Sequence, residues 1–477
     1  MKQVLSSIYN FFFSRLLVLT IAIMPFCVAL VMVVYDKFYP ELFHFSEIGW
    51  FLGGMLFNIL LMYITYRFFV KGKISEKYLL VFCFAVANAL MLAVLMSFNT
   101  IPVSDYAVIY ESACSMANGT YNIYDLPDWH YMARFNYQTG MAVLESLFIR
   151  VFGDTTVPLK IIALICLNFT IFLTFKVAAK YFGKSASYYA VALSSTFYPV
   201  LVSVGQLTNN IVVIPLILWV LLLMDKAGGI RRWLLVGFLI ALISIFRPVG
   251  IIIIAVAIAV VVSKVIKNKG FRPILNLVAM FMMYGVVIFA FNSVMWNCSY
   301  LNSERGITTN ALRYQKYIQG FFGNVFSQGK FEELGSLEKY NEYQRDLLFS
   351  HLRENPTGAA IFTTKKMLHY LGDYDNRVEM TYNHDLSVWR VSPVRQCVSF
   401  GWGQYAAIIL FAVYGAILGY KRRMLNCYGS LQIYFVFIIY VYFLIEAYSA
   451  YRVEFYPALI AFAGLGSVLA GERLAVK

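Results

Sequence analysis

Charge is what this chain has least of. Asp, Glu, Lys and Arg make up 13% of its 477 residues, His occurs five times, and 60% of positions are hydrophobic. A water-soluble core cannot bury that much apolar surface, so the bilayer must be the solvent for most of the chain. The seven cysteines follow no metal-ligand spacing, and Cys27, Cys83, Cys166 and Cys427 fall in apolar runs or a short polar gap. Cysteine chemistry therefore points to no zinc site and no disulfide framework. Cys298 and Cys397 flank the longest polar segment and are equally readable as a bridged pair or as two free thiols. No strand–glycine–helix unit marks a nucleotide fold. There is no low-complexity segment, heptad pattern or solenoid-length repeat, and no matched pair of broken helices of the kind an inverted-repeat transporter carries. The first apolar stretch, Leu17 to Tyr35, lacks a small-residue cleavage site and reads as a retained span.

The net charge of +14 suggests nucleic acid only until the charges are placed. Basic residues gather in short gaps: Arg67, Lys71, Lys73 and Lys77; Lys176, Lys180 and Lys184; Lys226, Arg231 and Arg232; Lys264, Lys267, Lys269 and Arg272; Lys421, Arg422 and Arg423. The alternate gaps are neutral or acidic, which is the positive-inside pattern of a polytopic membrane protein. At about twenty residues per span, crossings begin near Arg15, Trp50, Tyr78, Pro158, Ala186, Asn210, Trp233, Gly250, Pro273, Val398, Ser430 and Phe455. The stretch Trp233 to Ser263 has basic residues at both flanks, so it must go out and back, turning at Arg247-Pro248, where proline disfavours helix continuation. The expected fold is thus an all-α polytopic membrane protein of roughly twelve transmembrane helices, with both termini cytoplasmic and two large outer loops containing short helices. The expected units are residues 1–77, two N-terminal helices; 78–296, a membrane core with a first loop at 99–157; 297–397, a large extracytoplasmic loop; and 398–477, the C-terminal helices.

Ionisable residues at membrane depth are costly and mark sites. Asp105, Arg247, Glu446 and Arg452 all map to the outer ends of spans, so they are expected to share one site roofed by the two loops. Two arginines suit a phosphate or diphosphate, and an aspartate can accept a proton from a hydroxyl. Tyr106, Tyr110, Tyr121, Tyr124, Trp129, Tyr131 and Tyr137 can stack on sugar rings. Together these describe glycosyl transfer from a polyprenyl-phosphate sugar. Asp105 and Ser104 could instead simply start the helix Tyr106 to Met116; Arg247 could snorkel to headgroups; and Arg452 with Glu446 could be a structural ion pair. His130, Arg134 and Gln138 stand at helix-like spacing and suit an acceptor pocket, Tyr451 and Tyr456 suit either donor contact or an interfacial belt, and Lys365 and Lys366 could reach a phosphate. Asp373, Asp375, His384 and Asp385 match no rigid metal geometry, so no metal or other cofactor is expected; a divalent ion is left open without support from the sequence. Asn118-Gly119-Thr120 fits the N-glycosylation pattern, and Asn118-Gly119 also suits a helix stop.

Several segments carry a resemblance. PVSDYAVIY, SMANGTYNIY and NYQTGMAVLESLFIRVFG resemble the first outer loop of the GT-C glycosyltransferases, in the branch of the protein O-mannosyltransferases and the aminoarabinose transferase of lipid A. YPVLVSVGQLTNN, GFLIALISIFRPVG and EAYSAYRVEFYPALIAFAG resemble that family's later turn, arginine-proline hairpin and late Glu…Arg span. The resemblance implies that Asp105 is the general base for inversion at the anomeric carbon and that Arg247 and Arg452 lie near the donor phosphate. Two features depart from the family: two extra spans precede the first loop, and Asn209 and Asn210 stand where an acidic residue is common. The implied partners are a polyprenyl-phosphate-linked sugar, a glycan, lipid or protein acceptor, and membrane lipids, without nucleic acid. The implied setting is a bacterial plasma membrane with the site on its extracytoplasmic face. A lipid-linked saccharide flippase would share the phosphate-binding arginines but survive loss of Asp105. A polysaccharide polymerase or ligase would lean on loop arginines, here Arg305, Arg313, Arg345 and Arg353.

Overall fold

The structure is a computed structural model. It describes the chain apart from residues 1, 39–44, 73, 98–99, 207, 227–228, 269–270, 309, 324–325, 376–391, 426–428 and 477, and the side chains of a few further residues beside them. Regular structure among the described residues is entirely helical. Helices α1 (Lys2–Phe38), α2 (Phe45–Thr65) and α3 (Glu76–Ser97) precede a short-helix region holding α4 (Asp105–Ala117), α5 (Tyr131–Arg134) and α6 (Thr139–Phe152). A second bundle run follows: α7 (Val157–Phe182), α8 (Lys184–Ser194), α9 (Tyr198–Leu201), α10 (Asn209–Met224), α11 (Ile230–Phe246), α12 (Gly250–Asn268) and α13 (Arg272–Asn297). Four helices of the second loop, α14 (Gln315–Phe321), α15 (Gln328–Leu334), α16 (Leu337–Glu354) and α17 (Pro356–Gly372), lead to α18 (Ser392–Lys421), α19 (Ser430–Leu444) and α20 (Tyr456–Val476).

Every expected crossing starts in, or one residue before, one of these helices. Length and apolarity narrow the count. Among the described residues six helices can cross a membrane by themselves, and a bent pair makes a seventh. Helices α10 and α19 have 16 and 15 residues, too short for a thirty-ångström core at about 1.5 Å per residue. At the expected hairpin the chain does break. Arg247 is extended, at φ −158° and ψ 140°, as the residue before a proline prefers, and α12 starts three residues later.

Two packing features position the site. Helices α2 and α18 touch backbone to backbone: a Cβ at Gly54 would collide with the Phe400 carbonyl, and one at Gly403 with the Phe51 carbonyl. Close approach of this kind is how small residues join helices without a hydrophobic driving force. Asn58 adds a 2.9 Å hydrogen bond to the Gln404 carbonyl, and Glu47 pairs with Arg395 at 3.1 Å. The expected N-terminal pair is therefore built into the bundle. The second feature is the 61° bend between α8 and the helical turn Tyr198–Gly205. A bend frees backbone groups that a membrane cannot satisfy. The fully buried Gln404 amide meets both, donating to the Thr196 carbonyl at 2.9 Å and accepting from the Tyr198 N–H at 2.9 Å.

Candidate active site

Helix α4 begins at a strained residue. Ser104 has φ 54° and ψ −128° and makes no side-chain cap. A non-glycine residue held there costs of order 1–3 kcal/mol, which surrounding structure must offset. Asp105 is open on one side, yet enough protein surrounds the carboxyl that desolvation raises its pKa, against the Tyr131 hydroxyl and the nearby Lys316 and Arg134, while Glu446 adds to the rise. A carboxylate pushed upward in a polar pocket is a better proton acceptor than a free one.

The cations beside it come from different elements. Lys316, on α14, forms an ion pair with Glu446, and the Glu446 N–H donates to the Lys316 carbonyl at 3.1 Å. Burial works against the Lys316 charge, but Tyr137 and Glu446 outweigh it and hold the ammonium above the usual lysine range. Arg134 lies over the Phe326 ring at 3.9 Å and near Phe135 at 5.2 Å, and among the described residues it has no ion pair. Its Nε is buried without a hydrogen-bond partner, and burial lowers its pKa, against Tyr131 and Asp105. Tyr137 sits among Lys316, Arg247, Glu446 and Asp105, and burial raises its hydroxyl pKa.

Arg247 has a different engagement. Its Nε lies 2.6 Å from Glu454 Oε1, with side-chain exposures of 11% and 0% for the two residues, and its Nη1 donates to Asn209 Oδ1 at 3.1 Å. Tyr451 underlies the guanidinium at 5.1 Å, and the Tyr442 hydroxyl donates to Glu454 Oε2 at 2.7 Å. The charge of Arg247 is thus already neutralised within the protein. Arg452 stands apart from Asp105 and is fully buried. It donates to the Asp373 and Ser449 carbonyls at 2.6 and 3.0 Å and faces the Tyr405 ring at 4.5 Å. With Trp402 and Tyr405, which donate to the Gly372 and Leu371 carbonyls at 2.8 Å each, it closes the C-terminus of α17. The expected pairing of Arg452 with Glu446 is replaced by these contacts, because Glu446 is taken by Lys316.

The remaining expected residues divide between site and scaffold. Gln138 donates to the Tyr131 hydroxyl at 2.9 Å, and Tyr106 contributes to the electrostatic surroundings of Arg247. Tyr110 turns to Asp154, donating at 2.7 Å. His130 caps α5, its Nδ1 accepting from the Met132 N–H at 3.3 Å; burial and Arg134 lower its pKa. Tyr456 donates to Asp375 at 2.7 Å deep in the bundle. Lys365 is exposed on α17, whereas Lys366 donates to the Phe443 and Ile445 carbonyls at 2.9 and 2.7 Å. Among the described residues no group of three His, Cys, Asp or Glu is placed to hold a metal ion. Asp373 meets His369 at 3.5 Å, and His384 and Asp385 lie outside the described residues, as does Cys427. Cys298 and Cys397 are free thiols. Of the loop arginines, Arg305 pairs with Asp128 and Arg345 with Asp346.

Sequence reading missed Lys316 and Glu454. Lys316 sits in a loop helix of seven residues with no pattern to mark it. Glu454 had a signal, a carboxylate at the start of an apolar span that needs a cation, and Arg247 is that cation. A small crevice is bordered by Thr100, Pro102, Val103, Tyr106 and Gln206. A second, more apolar crevice shares Gln206 and Thr208 and runs between α6, α7 and α10, past Leu144, Leu159 and Ile211.

Residues 140–296 match the family described as dolichyl-phosphate-mannose-protein mannosyltransferase. The matched stretch holds all or most of three of the segments that resemble the GT-C glycosyltransferases and covers about a third of the chain. No curated protein matches the sequence. Among solved structures, the archaeal oligosaccharyltransferase AglB of Archaeoglobus fulgidus, in complex with an inhibitory peptide and a dolichol-phosphate, is similar at 13% identity and a TM-score of 0.48. The alignment covers 84% of this chain and 51% of AglB, so the chain spans about half the length of that protein. ArnT of Cupriavidus metallidurans, bound to undecaprenyl phosphate, is similar at 13% identity and a TM-score of 0.37, covering 84% of this chain and 80% of ArnT.

Proposed function

We propose that the chain is a GT-C-class glycosyltransferase that moves a sugar from a polyprenyl-phosphate or polyprenyl-diphosphate donor to a hydroxyl acceptor at the extracytoplasmic face of a bacterial plasma membrane, with inversion. Asp105 takes the acceptor proton as the acceptor oxygen bonds to the anomeric carbon and the bond from that carbon to the phosphate oxygen breaks. The leaving lipid phosphate carries away the electron pair. Lys316, whose ion pair with Glu446 is still partly open to solvent, and Arg134, which has no ion pair among the described residues, meet its charge in place of the Arg247 and Arg452 that the family resemblance implies, because the Arg247 pair with Glu454 is more deeply buried and Arg452 is fully buried. The acceptor is a cell-envelope glycan, a glycolipid or a protein hydroxyl.

One observation carries the reading: an accessible carboxylate, raised by its surroundings, lies among two cations that the protein brings from separate loops. The test uses membranes containing the chain, supplied with a panel of radiolabelled polyprenyl-phosphate hexoses. Label should pass to a lipid-, glycan- or protein-bound fraction. Asp105→Asn keeps size and hydrogen bonding but removes the proton acceptor, so incorporation should fall by about two to four orders of magnitude, while the purified variant still binds the donor. Undiminished incorporation by Asp105→Asn would overturn the base assignment.

A further inference from the structure

Helix α6 carries a carboxyl group that the proposed transfer does not use. Glu145 is 1% exposed, and its Oε2 is buried without a hydrogen-bond partner. It forms no ion pair among the described residues. Its neighbours along the helix are apolar. Met141, Ala142 and Ile149, three or four residues away and so on the same side of α6, join Ile109, Ala113 and Met116 of α4 in one buried cluster. Glu145 therefore belongs to the apolar seam between α4 and α6. The polar groups that could answer it are engaged elsewhere. Tyr110 and Cys114 of α4 both donate to Asp154 Oδ1, at 2.7 and 3.6 Å. Arg150, the one basic residue of α6, donates to the Met116 carbonyl at 2.7 Å and to the Tyr300 hydroxyl at 3.2 Å. An unpaired carboxylate in such surroundings is costly, so the group keeps its proton, and burial pushes it up to about 8.

We propose that Glu145 is a proton switch in the first loop: neutral, it holds α4 and α6 together, and its ionisation drives the seam between them open. The closed seam favours the neutral carboxyl, whereas an open seam exposes it to water and favours the charged one. The open form gives up its proton at the ordinary glutamate value of 4.5, and the closed form keeps it to about 8. Closure is therefore strongest in acid and weakens as pH climbs between those values. Other groups on the elements packed against α6 are Glu111 from α4, Tyr137 from the turn before α6 and Lys160 from α7. Helix α11 meets α6 at Ile245, and its only charges, Arg231 and Arg232, stand at its other end. Tyr121 completes the cluster, and burial raises its hydroxyl. Because α4 begins at Asp105, opening the seam releases the helix on which that carboxylate stands. The inference concerns the seam and holds whichever residue is the base.

Hydrogen exchange reads the seam without turnover. The full chain in detergent is exchanged across neutral and mildly acidic pH, and rates in α4 and α6 are corrected for the intrinsic pH dependence of amide chemistry to give protection factors. One proton released on opening lowers protection by up to about tenfold per pH unit, so the wild type should lose up to about 100-fold from about pH 5.5 to about pH 7.5. Glu145→Gln cannot ionise, so its protection in α4 and α6 should stay constant across that window. Amides of α2 and α18 should not follow pH in either protein. A flat wild type, or equal pH slopes in the wild type and folded Glu145→Gln, would overturn the switch. If Glu145→Gln does not fold, Glu145→Met fills the same space without a polar group and is read by the same criterion. Neither outcome touches the transfer assay with Asp105→Asn, so the two claims fail separately.

Discussion

Lys316 offers the sharpest test of where the donor phosphate sits. Its ammonium is paired with Glu446, and the two side chains are 28% and 11% exposed. A charge-assisted hydrogen bond to a phosphate contributes about 1.5–3 kcal/mol, so Lys316→Met should weaken binding of undecaprenyl phosphate roughly ten- to 150-fold. Glu446→Gln acts in the opposite sense. It releases the ammonium from a partner that competes with the ligand, and for a pair still partly exposed to solvent that competition is worth about 1 kcal/mol, roughly fivefold tighter binding. Isothermal titration of undecaprenyl phosphate into the purified protein in detergent reads both variants. Leaving one charge of a half-buried pair unpaired also costs stability, so the double variant Lys316→Met with Glu446→Gln serves as the control, because removing both partners is close to neutral for the fold. If Lys316→Met, folded and monodisperse, binds with the wild-type Kd, the phosphate does not meet this lysine.

Two further outcomes follow from the fold. Gln404→Leu leaves the Thr196 carbonyl and the Tyr198 N–H unsatisfied in the bundle, at about 1–3 kcal/mol each, and should lower the unfolding midpoint in denaturing detergent; an unchanged midpoint would show that other groups hold the bend. Lys366 is pushed down to about 8 by burial, with Glu446 opposing. The folded state therefore releases a proton that the unfolded state keeps up to the ordinary lysine value of 10.5, so this group's contribution to stability rises with pH between about 8 and that value. Thermal unfolding across that window should lose that rising component in Lys366→Met, and an identical pH slope in the variant would show that Lys366 does not supply it.

Much of the architecture was legible because the bilayer allows few solutions. Apolar runs of spanning length became helices, and Arg247-Pro248 broke the chain where a proline and two basic flanks required it. The count of crossings was less legible, since α10 and α19 are short and find their satisfaction in neighbours rather than in length. For the site, the cost of a charge at membrane depth picked out Asp105, Arg247 and Glu446, which the fold brings into one neighbourhood. The same cost picked out Arg452, and here a single sequence could not separate a guanidinium that meets a ligand from one that closes a helix end. Partner choice was hidden for the same reason. Glu446 pairs with Lys316, distant by 130 residues, and Arg247 with Glu454, distant by 207, and no periodicity encodes such meetings.

The glycine contact between α2 and α18 bears on how this chain can be shortened. Trimming the chain to the stretch that resembles its relatives would strip a backbone-close neighbour from α18 and leave the Phe400 carbonyl facing lipid. It would also remove the Asn58 bond to residue 404, whose side chain holds open the bend leading to Asn209. The leading helices thus act as a brace for the turn before Asn209, and a shortened version that omits them would lose the shape of that turn before it lost its membrane insertion.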